Sequence, residues 1–151
     1  MDTLIINQQK KSLFIELELL LDTLLAESMI YLNNFEIKDF FSFSNSEERI
    51  KYYKSEYLNF SSNIALPIEG ITAKMYMISA LLIESDQNML EDTSAQLKSV
   101  FEEYLTFEAT LASFTKETKT ALSKEQFSVS MLTDCAKKII FSTNALKSKL
   151  K

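Results

Sequence analysis

Four carboxylates, Glu16, Glu102, Glu103 and Glu108, stand beside apolar residues, the setting in which general acid–base chemistry is built. Each also borders an amphipathic stripe, where acids ordinarily serve as solvated seam residues. With no histidine in the chain, Ser-His-Asp and Cys-His arrangements, His-based zinc sites and the Glu-x-x-His pairs of di-metal bundles are all excluded. Gly70 is the only glycine, so neither a Walker loop nor a dinucleotide-binding fingerprint can form. Cys135, the only cysteine, cannot make an internal disulfide and falls on an apolar helical face as a small hydrophobe. These residues point to a protein that is not an enzyme and carries no metal or cofactor.

Aromatic side chains offer a different kind of chemistry, that of contact. Phe40, Phe41 and Phe43 crowd a short stretch, and Arg49, Tyr52 and Tyr53 follow it. Arg, Tyr and Phe are the residue types that anchor protein interfaces. The three Phe residues either plug the end of a folded core or stay exposed for a partner. Arg49 reads more readily as an ordinary salt-bridged surface residue.

The elements that must position these groups are helical. One Gly and one Pro in 151 residues leave almost nothing for tight turns or strand connections. The densest apolar segment, residues 13–32, carries a main stripe of Leu13, Leu17, Leu20, Leu24 and Tyr31, widened by Phe14, Leu21, Leu25 and Leu32. A second, narrower stripe of Ile15, Leu19, Ala26 and Ile30 lies roughly opposite. That stripe is either packed against a further helix of a bundle or is the contact face for a second copy or a partner.

Residues 2–34 read as the first helix and 35–46 as a connection. Asn45 with Glu48, or Ser44 with Glu47, has capping-box spacing, so a second helix starts near Ser46 and runs to about Asn59. Its face is Ile50, Tyr53, Tyr57 and Phe60. Residues 61–70, which hold Pro67 and Gly70, read as a second connection or a kink. A third helix over 71–88 is apolar nearly all round. Asp92, Thr93 and Ser94 offer N-caps for a fourth, whose Leu97, Val100, Tyr104, Phe107, Leu111 and Phe114 form a heptad seam. Ser123 with Gln126 caps a fifth, carrying Cys135, Ile139, Leu146 and a basic tail. The expected architecture is all-α, one domain over 1–151: an antiparallel bundle of four to five helices with a long, central N-terminal helix.

Composition bounds the function. A net charge of −5 disfavours nucleic-acid binding, and the charge is uneven: residues 1–92 hold fifteen acids and seven bases, residues 93–151 six and nine. Glu16, Glu18 and Asp22 break the first apolar run as a signal peptide, and Pro67, Glu69, Gly70 and Lys74 break residues 64–83 as a membrane span. The expectation is a cytoplasmic protein-interaction module, of adaptor, inhibitor, immunity or secretion-accessory type, with another protein or a second copy as partner and neither nucleic acid nor membrane. The alternative is a small-molecule sensor or carrier with Met75, Met77, Phe101, Tyr104 and Phe107 around an apolar cavity.

Overall fold

A computed structural model describes residues 3–40, 45–124 and 129–151, the side chains of 36–40 excepted. Four helices make up this structure: α1 Thr3–Phe40, α2 Ser46–Gln87, α3 Glu91–Lys124 and α4 Val129–Ser148, with no strand among the described residues. Each helix packs on the next, and α4 closes the ring against α1. Every helix therefore has two main neighbours, and the contacts do not single α1 out as central.

The core follows one rule in all four helices. In α1, Phe14, Leu17, Leu21, Leu24, Ser28, Tyr31 and Phe35 are buried at alternating steps of three and four. The same alternation buries Tyr53, Tyr57, Phe60, Ile64, Pro67 and Ile71 in α2, Thr93, Leu97, Val100, Tyr104 and Phe107 in α3, and Leu132, Ala136, Ile139, Thr143 and Leu146 in α4. Such a repeat keeps one seam of each helix turned toward its partners. Hydroxyls on the seam are satisfied within their own helix where Ser28 donates to the Leu24 carbonyl at 2.7 Å and Thr143 to that of Ile139 at 2.7 Å.

The largest departure from the sequence reading is α2, where two expected helices are one. Pro67 and Gly70 lie inside it rather than in a connection. Four contacts explain how the helix tolerates them: Asn34 with Glu56, Glu27 with Asn63, Leu20 with Gly70 and Glu16 with Lys74. The residue numbers of each pair sum to 90, so α1 and α2 run in opposite directions in one constant register on both sides of Pro67. Proline lacks the N–H that would bond the Asn63 carbonyl. Asn63 is exposed, which leaves that carbonyl to water, while the Pro67 ring fills a seam position. Packing on α1 thus overrides the local breaking signal.

Two boundaries match expectation and two move. Asn45 is the N-cap of α2, its side chain accepting from the Glu48 N–H at 2.8 Å, with Glu47 and Glu48 in the first turn. α1 continues past Asn34 to Phe40, because Phe35 is wholly buried and extends the core seam. α3 begins at Glu91, before the expected caps; the Thr93 hydroxyl bonds the Asn7 side chain at 2.9 Å instead. Between α2 and α3, Leu90 N–H bonds the Ser85 carbonyl and Met89 N–H that of Asp86. This is a Schellman cap with Met89, at φ 56°, in the left-handed position usually held by glycine. The Ser123–Gln126 cap falls partly outside the described residues.

α4 is the shortest helix, and the ring changes where it stops. Lys147 pairs with Asp22 at 2.6 Å, so the first turns of α1 lie beyond the end of α4. There α1 meets α3 directly, through Asn7 with Thr93 and Lys10 with Gln96 at 2.7 Å. Four helices surround the core at one end and three at the other.

Candidate interaction surface

Because the seam of α1 faces inward, the narrower stripe of the same helix must face out. Ile15, Leu19 and Ile30 are 63%, 62% and 55% exposed, and Ala26 is exposed between them. The stripe does not serve as a second core face.

α2 presents a similar outer face. Between residues 65 and 83 its exposed side chains are Ala65, Leu66, Glu69, Ala73, Tyr76, Met77, Ala80 and Ile83, with Glu69 the only charge among them. Leu66 and Tyr76 are each 75% exposed. By length and composition α2 includes an 18-residue stretch apolar enough to cross a membrane, contrary to the sequence reading, and only 22% of it is buried. The helix is apolar nearly all round, as its sequence indicates, but its outer side is not covered by another part of the chain.

The two outer faces join. Leu19, Ala26 and Ile30 follow the seam formed by Glu16, Leu20 and Glu27, and Leu66, Ala73 and Met77 follow the opposing seam of Asn63, Gly70 and Lys74. Glu16, one of the four carboxylates flanking apolar runs, is bonded to Lys74 at 2.5 Å, which neutralises the middle of the seam. Exposed residues of α3 and α4 are mainly Ser, Thr, Ala, Lys, Glu and Asp; Leu105 and Phe141 are the large apolar exceptions there. The large exposed apolar side chains thus gather on α1 over residues 15–30 and on α2 over residues 65–83, and few lie on α3 and α4.

Of the expected anchors, the side chains of Arg49, Tyr52 and Tyr53 are described, and they touch one another. Tyr53 is wholly buried and belongs to the core, tilted against Phe35 with ring centroids 5.3 Å apart, so it presents nothing to a partner. Tyr52 is half-buried and donates to the Asn34 carbonyl at 3.2 Å. Arg49 is exposed, lies 5.5 Å from the Tyr53 ring centroid and donates from Nε to the Tyr53 hydroxyl at 3.3 Å. Phe40 ends α1 with its side chain outside the description, and Phe41 and Phe43 lie outside the described residues.

The residues expected around an apolar cavity take different places. Met75, Tyr104 and Phe107 are buried in the core, Phe101 is half-buried against it, and Met77 is exposed. An open groove of about 680 Å³ instead separates α3 from α4, where small residues such as Ala109, Thr110, Ser142 and Ala145 face each other below the exposed Phe141. Cys135 lines it, buried, its thiol donating to Glu117 at 3.6 Å. Burial and then the Glu117 carboxylate push this thiol above its usual range, away from nucleophilic use. Glu102 and Glu108 are exposed and Glu103 is half-buried at the groove rim. Among the described residues no group of three or more Cys, Asp or Glu is placed to hold a metal ion.

The sequence missed the α2 half of the apolar surface for want of one fact, that residues 61–70 continue the helix. Comparison of the chain with protein-family models, curated proteins and solved structures gives no match.

Proposed function

We propose that this chain is a non-catalytic protein-interaction module that works through the joined outer faces of α1 and α2. The observation that carries the reading is the apolar run of exposed side chains on adjacent helices, Leu19 and Ala26 beside Leu66 and Ala73, continued by Ile30 at one end and by Tyr76 and Ile83 toward the other. Apolar patches on monomers seldom exceed a few hundred Å², and larger ones mark sites of association. Affinity purification with wild type and a Leu19→Glu, Ile30→Glu variant tests it. Loss of specific partners from a folded variant supports the reading, and an identical partner list sinks it.

The α3/α4 groove favours a second reading, carriage of a small apolar ligand, since its volume lies in the range of small-molecule sites, about 300–1,000 Å³. Native mass spectrometry of the protein as isolated checks it; a clean apo mass counts against carriage.

A further inference from the structure

Resting on that reading of the α1/α2 face, we infer that its occupant is a second copy of this chain, packed face to face about a twofold axis. The first argument is area. In the constant register of the two helices, residues 7–32 of α1 lie alongside residues 58–83 of α2, with exposed apolar side chains from Ile15 to Ile30 on the first and from Leu58 to Ile83 on the second. At a rise of ~1.5 Å per residue and a helix width of ~10 Å, this layer measures roughly 37 by 20 Å, on the order of 750 Å². A standard protein interface buries about 800 Å² on each partner. The layer, polar side chains such as Ser12, Thr23 and Glu69 included, has the size of a dimer contact.

The second argument is what the face offers for recognition. Its middle carries the Glu16–Lys74 pair, already neutralised within one chain, amid Leu, Ile, Ala and Tyr. Apart from Glu69, the exposed side chains of α2 over residues 65–83 are uncharged, so most of the face offers apolar contact that a second copy can match. Tyr76, 75% exposed, supplies an aromatic anchor of the kind enriched in interface cores. Lipid is the poorer occupant. Residues 1–92 hold fifteen acids against seven bases, a balance that an anionic leaflet repels.

Twofold packing also fixes the sign of a salt effect. Glu27 and Glu84 border the face and Glu69 stands on it, so two copies bring like charges together. Salt screens that repulsion, so association tightens as ionic strength rises. A partner recognised by a basic border would behave in the opposite sense.

Sedimentation velocity on the full chain, from micromolar to sub-millimolar concentration at low and high salt, tests the inference. Wild type is expected to dimerise, more tightly at high salt. Leu19→Glu with Tyr76→Glu is expected to weaken association at least tenfold with unchanged helix content, and Leu66→Gln does the same service if the charged pair fails to fold. Leu105→Glu, on the outside of α3, should leave the dimer intact. A wild type that is monomeric throughout, a dimer untouched by the α1 and α2 substitutions, or a monomer that floats with neutral phosphatidylcholine vesicles each overturns the inference. A monomer whose partner capture is still lost on Leu19→Glu with Ile30→Glu overturns the second copy alone; with neither dimer nor capture, both readings fall.

Discussion

Leu20 of α1 lies so close over Gly70 of α2 that a β-carbon added to the glycine would sit 2.9 Å from Leu20 Cδ2 and 3.1 Å from its Cδ1. Gly70 occupies the α1-facing side of a helix that it would otherwise weaken by ~1 kcal/mol relative to alanine. The clashing atoms are the far end of a half-buried, flexible side chain. Gly70→Ala should therefore gain stability, about 0.5 kcal/mol, as Leu20 changes rotamer, whereas Gly70→Val, with branches at the seam, should lose at least 1 kcal/mol. Urea denaturation of both variants reads the difference, and a destabilised alanine variant means that Leu20 cannot move.

Leucines on opposite sides of α1 should separate cleanly. Leu24 is wholly buried, so Leu24→Ala opens a cavity and costs about 2–5 kcal/mol. Leu19 is 62% exposed, and Leu19→Ala should change monomer stability by less than about 0.5 kcal/mol. Equal losses at the two positions in dilute solution would contradict the orientation of the helix.

Met89 holds the left-handed position of the α2 cap at φ 56° and is 87% exposed. A side chain there costs roughly 1–2 kcal/mol, part of which glycine returns through its freer unfolded chain. Met89→Gly should raise the thermal midpoint, by on the order of 0.5–1 kcal/mol in stability. A lower midpoint would show that the methionine makes a compensating contact.

Tyr31 stacks on Phe60 with ring centroids 4.2 Å apart, and its hydroxyl is buried without a hydrogen-bond partner among the described residues. Burial first, then Tyr57, Cys135 and Glu56 nearby, push its ionisation far above the ordinary tyrosine range. The folded state thus favours the neutral hydroxyl, and this contribution is whole below about pH 10 and lost as pH climbs beyond it. Tyr31→Phe should be neutral or stabilising by up to about 1 kcal/mol at pH 7, and should flatten the alkaline decline. Guanidinium melts at pH 7 and at alkaline pH check both halves of the claim.

Much of this was legible in the residues themselves. The heptad of Leu97, Val100, Tyr104 and Phe107 gives α3 its buried face, and Asn45 with Glu48 marks the start of α2, because both signals are local. The continuity of α2 was not legible: Pro67 and Gly70 break helices in isolation, and only the register with α1 outweighs them. Periodicity likewise revealed the Ile15, Leu19, Ala26 and Ile30 stripe without saying what covers it, since an apolar stripe reports the need for burial and not the identity of the neighbour. Tyr53 misled as an interface anchor because aromatic residues fill cores as readily as they line contacts.

The level of the Asp22–Lys147 pair divides α1 into two parts with different supports. Past the level of the Asp22–Lys147 pair, α1 is held by α2 and by the Asn7 and Lys10 bonds to α3, without a fourth helix beside it. Amide protons in that first part of α1 should exchange with solvent through local unfolding at lower free energy than those near Leu24, which open only when the whole ring does. The bundle then frays from its three-helix end, and Thr93→Ala, by freeing Asn7, should speed exchange there while leaving the four-helix end protected.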